Sequence, residues 1–153
     1  MKAIYINPFL KAASHVFEQF QLPCKVGSPS LKSSPFSGLE VLTIVGITGD
    51  IRGQMYFGGS MPSILEVVST MMGGVPVEAL GSLEQSAFSE LANMICGNAM
   101  SYFSQDGITL DITPPTLIMG KQIEVSAVKM SVLSIPIILN MNNQLEMNIV
   151  FEV

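Results

Sequence analysis

The sequence predicts an α/β fold with a largely antiparallel sheet and two long helices. Three observations lead there. Apolar residues recur at helical spacing over residues 8–20 and 82–105. A strand–turn–strand segment follows each stretch, so a helix–hairpin unit occurs twice as a pseudo-repeat. No GxGxxG or GxxxxGK[ST] loop follows a strand, which sets aside a dinucleotide-binding fold. The chain of 153 residues suits one domain, 1–153, with a sizeable core.

Asn7-Pro8 has the form of a helix start, with asparagine as N-cap and proline at the first helical position. Phe9, Ala12, Ala13, Val16, Phe17 and Phe20 then share one face, and Pro23 ends the helix. Residues 27–38, rich in Ser, Pro and Gly, predict a loop or an irregular edge strand. EVLTIVGIT and GQMYFGG predict a hairpin turning at Gly49-Asp50. Ser60 and Pro62 open a second helix that closes at Gly73-Gly74. The long helix over 82–105 stops at Asp106-Gly107, and Pro114-Pro115 interrupts any regular strand after it. QIEVSAVKMSVLSIPIILN and QLEMNIVFEV then predict two strands around a turn at Met141-Asn142-Asn143. In the last of these, Leu145, Met147, Ile149 and Phe151 alternate with Glu146, Asn148, Val150 and Glu152, which predicts one buried and one exposed face.

Composition narrows the function. Apolar residues make up 48% and charged residues 12%, against about 25% charged in ordinary globular chains. So little charge implies tight packing, or a face hidden against a partner or a second copy. No apolar run reaches the roughly 18 residues of a membrane span; VLSIPIILNM is short and broken by Ser134, Pro136 and Asn140. The N-terminus lacks a signal-peptide core, so cytoplasmic residence is the expectation. A net charge of −5 with scattered Lys and Arg argues against nucleic acid. Cys24 and Cys96 are expected to be buried and unpaired, and with His15 the only histidine no metal cluster is expected. Nucleophilic catalysis would rest on His15 alone, on the first helix, and is set aside.

The long helix carries the chemistry. With about 100° per residue, Ser86, Glu90, Asn93, Gly97, Ser101 and Ser104 fall in one narrow sector. Phe88, Leu91, Ala92, Ile95, Ala99 and Tyr102 form the opposite, core-facing side, with Phe103 at its margin. A solvated helix face usually carries Glu, Lys, Arg and Gln; this one holds a single charge among small, poor helix formers. Met94 and Met100 flank it, and methionine adapts well to a partner surface. An asparagine amide offers both a donor and an acceptor, enough to orient a water, and orientation contributes strongly to phosphoryl transfer. A carboxylate repels a phosphoryl group but grips a cation. Glu90 and Asn93 therefore suit half an active site, completed by another protein.

These residues bring a resemblance with them. ELANMICGNA at 90–99 resembles the signature helix of the CheC/CheX/FliY chemotaxis phosphatases. GITGDIRGQMYF, the MMGG helix end and ITPPTLIMG resemble the corresponding CheX-type segments in the same order, and the likeness runs from Asn7 to the C-terminus. It implies a CheC-like fold and a phosphatase acting on a phosphorylated CheY-type response regulator. Glu90 would pair with the regulator's active-site lysine, and Asn93 would align the attacking water. Ser86 stands where the family pattern has Asp or Ser. Pro114 and Pro115 are candidates for the pattern's proline, falling just short of its spacing. Ser86, Met94, Gly97 and Ser101 would line the docking face. The first helix carries no second Glu-x-x-Asn pair, which resembles the one-site, dimeric CheX type. The resemblance implies no cofactor on this chain, with Mg²⁺ supplied by the regulator. The alternative is a non-catalytic module docking on a receiver domain or flagellar switch component.

Overall fold

A computed structural model describes residues 3–34, 36–128, 130–140 and 142–152. The elements run α1 (Ala3–Gln19), β1 (Lys25–Val26), β2 (Ser30–Lys32), β3 (Phe36–Gly49), β4 (Gly53–Gly59), α2 (Met61–Met71), α3 (Ser82–Gln105), β5 (Leu110–Ile112), β6 (Thr116–Val125), β7 (Met130–Ile138) and β8 (Gln144–Glu152). Every described strand pair is antiparallel. The sheet order is β1-β7-β8-β4-β3-β5, with β2 also on β7 and β6 also on β3.

The pseudo-repeat is visible in this order. The hairpins β3–β4 and β7–β8 lie side by side through β4 and β8, with Tyr56 opposite Asn148 near the centre. Each half lends strands to the other: β1 and β2 pair with β7, while β5 and β6 pair with β3.

One face of the sheet carries the main core. Phe9, Ala13 and Phe17 of α1, Ile64 and Val67 of α2, and Phe88, Leu91 and Ile95 of α3 pack against Val45, Phe57, Ile135 and Met147. A second, smaller core of Phe36, Leu39, Leu42, Tyr56, Val132 and Val150 occupies the other face. It exists because β2 leads into β3 and β6 leads into β7. Residues 30–32 and 36–44 therefore lie opposite 134–132 and 125–116 as one interrupted ribbon, starting at the β7 edge and ending along β3. Register shifts at Phe36, Leu39 and Val41 curl that ribbon.

Several expectations are corrected here. Asn7-Pro8 does not open α1, which begins by Ala3 with Pro8 inside it. Tyr5 packs edge-on against Phe151, with ring centroids 5.9 Å apart, and holds the extra turn in place. Pro8 lies in the second turn, where it removes the bond to the Ile4 carbonyl and its ring crowds that carbonyl. The stretch 122–140 is not one strand: 122–125 finish β6, 126–128 lie outside any strand, and β7 starts at Met130. Its two parts belong to different strand partners. The alternation over 145–152 fails because Val150 belongs to the second core and Asn148 is fully buried as well. In the expected turn at 141–143, Met141 lies outside the described residues; Asn142 and Asn143 donate their N–H groups to Asn140 Oδ1 at 2.9 Å. Both cysteines are free, but Cys24 is only half-buried. Residues 27–38 supply β2 and the start of β3, in keeping with an irregular edge strand.

Candidate functional site

The candidate site is a helix face, and aromatic contacts at both ends of α3 set how that face points. Phe88 stacks on Phe57 of β4 at 5.1 Å between centroids, with the rings 10° from parallel. Phe103 meets Phe9 of α1 edge-on at 5.7 Å. Such pairs contribute about 0.5–1.5 kcal/mol each beyond burial, and two anchors at opposite ends fix the rotation of the helix about its axis. Leu91, Ala92, Ile95, Cys96 and Ala99 between them are wholly buried. Burial pushes the Cys96 thiol up to about 12. The expected core side is therefore right in most positions. Phe103, placed at its margin, is fully buried, and Tyr102 is half-buried, with Lys11 Nζ 5.8 Å from its ring centroid.

The other side of α3 holds the stripe. Ser86, Glu90, Gly97, Ser101 and Ser104 are exposed, and Asn93 is half-buried beside them. Among the described residues, no side-chain hydrogen bond or ion pair engages Glu90 or Asn93. The contrast with Asn98 is informative, because its Nδ2 donates to the Met94 carbonyl at 2.8 Å. Ser101 Oγ turns inward to the Gly97 carbonyl at 3.4 Å. A Cβ added to Gly97 would meet no atom within 4 Å, so packing within this chain does not require glycine there. Met94 and Met100 are half-buried and packed against the main core.

Pro114 and Pro115 lie elsewhere, in the gap between β5 and β6. Ile112 pairs with Ile47 and Thr116 with Ile44, so one extra residue is accommodated there. Thr113 pins this bulge to Gly46: its N–H donates to the Gly46 carbonyl at 2.9 Å, and its Oγ1 accepts from the Gly46 N–H at 2.8 Å. The bulge spares the ladder the hydrogen bonds that proline cannot make. His15 lines a shallow groove with Lys11, Ser14, Glu18 and Tyr102. No acidic residue other than Glu18 lines that groove, and no described helix is long and apolar enough to cross a membrane.

One residue of this face escapes a split into polar and apolar sides. Leu83 falls about 20° from Glu90 on the same wheel, and it is 69% exposed. The angle alone would have found it; its apolar character hides it.

This sheet, with all described helices on one face, is a CheC-like fold. The CheC-like superfamily protein from Shewanella sp. PV-4 superposes with a TM-score of 0.89 at 24% identity, over 100% of both chains. Residues 41–138 match the family model described as "Chemotaxis phosphatase CheX", and the chain belongs to that CheX family. The CheY-P phosphatase CheX of Thermotoga maritima is 37% identical over 103 residues, 67% of this chain and 66% of that protein, so the match spans just under two thirds of the relative's length. The structure of the CheX–CheY–BeF3–Mg²⁺ complex from Borrelia burgdorferi matches with a TM-score of 0.84 and 29% identity, covering 97% of this chain and 98% of that one.

Proposed function

We propose that this chain dephosphorylates a CheY-type response regulator. The observation that carries the reading is the outward placement of Glu90 and Asn93, one turn apart on α3 and without partners among the described side chains. Membership of the CheX family and the name of the 37% identical relative support it. In this reading α3 docks over the phosphorylated aspartate of the partner. Glu90 grips the partner's lysine and fixes the register. The Asn93 amide holds a water in line with the phosphorus. The water oxygen bonds to phosphorus as the aspartyl P–O bond breaks, leaving a free carboxylate and inorganic phosphate. The transition state is loose, so positioning does most of what this chain contributes. Mg²⁺ belongs to the partner. Ser86, Gly97 and Ser101 leave room for the docked surface, and Met94 borders it. Pro114 and Pro115 shape the β5–β6 bulge and have no contact role in this reading. Action as a homodimer in the cytoplasm completes the proposal, and light scattering checks the dimer.

Phosphate release from a phosphorylated CheY-type receiver tests the reading. Asn93→Ala is expected to lose the acceleration by a factor of about 100 or more while keeping the wild-type melting curve. Glu90→Ala is expected to weaken docking. An Asn93→Ala protein as fast as wild type would overturn the mechanism. Tight binding of the phosphorylated receiver without turnover would favour the non-catalytic module.

A further inference from the structure

We infer that Leu83 is an apolar anchor for the phosphorylated receiver, covered by the partner's surface when α3 docks. The inference rests on the docking mode just proposed. Leu83 stands in the first turn of α3 and is 69% exposed. Its apolar neighbours Val77, Leu80 and Ala87 all pack against the main core, and Leu83 does not. Burial in this chain therefore does not explain a leucine at this position. Two turns later on the same meridian stands Glu90, about 10 Å along the axis. The face between them carries Ser86, which is small and exposed. A partner surface lying along the stripe to reach Glu90 and Asn93 also covers Leu83. There the side chain adds apolar area to an interface otherwise made by a carboxylate, an amide and small residues. Interfaces of this kind concentrate their affinity in a few central or well-packed anchors. The anchor acts before chemistry, in docking, whereas Asn93 acts on the reacting atoms.

The test is a split between KM and kcat in the phosphate-release assay, with Leu83→Asp, Asn93→Ala and Leu31→Asp measured side by side. Leu31, on β2, is 73% exposed and lies off the stripe. Leu83→Asp is expected to raise KM about tenfold or more with kcat at the wild-type level. Leu31→Asp is expected to match wild type in both, and thermal melts should show all three variants folded. If Asn93→Ala is inactive while Leu83→Asp keeps the wild-type KM, the anchor is wrong and the docking mode stands. If Asn93→Ala is as active as wild type, the docking mode itself falls, and the anchor with it. If Leu83→Asp instead splits a dimer at unchanged KM, Leu83 faces a second copy and the inference is overturned.

Discussion

A glycine inside a helix costs about 1 kcal/mol relative to alanine, and open space above Gly97 means that this chain gains no packing from the sacrifice. The proposed function supplies the reason, since a docked surface needs the clearance. Gly97→Gln separates the two demands. It is expected to raise stability by about 0.5 kcal/mol through helix propensity while slowing receiver dephosphorylation about tenfold; a thermal melt and the phosphate-release assay on the same sample check both. One position earlier the helix turns its buried side, and Cys96 shows what that does to a thiol. Burial raises it from an ordinary value of 9.0 to about 12. Between those values the unfolded chain sheds a proton that the folded chain keeps. Its contribution to stability is thus fully present below pH 9 and is lost as pH climbs toward 12. Cys96→Ala is therefore expected to close on wild type by about 1 kcal/mol between pH 8 and pH 10, read from denaturant unfolding at the two values.

At the scale of elements, the three described helices stop in the same way. The residue past the last turn donates its N–H three residues back, and the next donates five back: Leu22 to Phe17 at 2.9 Å, Gly74 to Ser69 at 2.8 Å and Ile108 to Phe103 at 2.9 Å. This ending places one residue at positive φ. Gly73 and Gly107 take that role in α2 and α3, but in α1 it falls to Gln21 at φ 53°. Gln21→Gly is expected to raise stability by up to about 1 kcal/mol, measured by denaturant unfolding. The pattern also explains what the sequence made legible. Gly73-Gly74 and Asp106-Gly107 mark their helix ends because glycine meets a backbone demand that is local. The outward side of α3 could be read for a similar reason, since 24 residues give its period time to repeat. The start of α1 could not, because the turn before Asn7 is held by Phe151 from the far end of the chain. The break within 122–140 was equally hidden: residues of one apolar run pair with β3 and then with β8, and nothing local records the change of partner. Leu83 was missed for the opposite reason, since its chemistry resembles core while its position belongs to the surface.

Across the whole molecule, charge is unevenly placed. From Gly53 to Gly120 there is no Lys or Arg, yet Glu66, Glu78, Glu84, Glu90, Asp106 and Asp111 lie within that span. All seven basic residues fall outside it. The stretch that contains α3 therefore contributes only acidic charge of its own, with Lys11 of α1 approaching it at Tyr102, a balance suited to drawing in a partner with basic groups around its pocket. Raising ionic strength from about 0.05 to 0.5 M is expected to slow association with the phosphorylated receiver several-fold while leaving kcat unchanged, since the screening length falls from about 14 to about 4 Å over that range; stopped-flow binding checks it. The exchange of strands between the two halves has a different consequence, felt during synthesis. β8 lies mid-sheet between β7 and β4, although it is the last strand in sequence. Until residues 144–152 emerge from the ribosome, β4 offers a bare edge of apolar strand to any other nascent chain, and neither half can close its own sheet. The sheet closes only once β8 is in place, and until then the bare β4 edge is open to pairing with other chains.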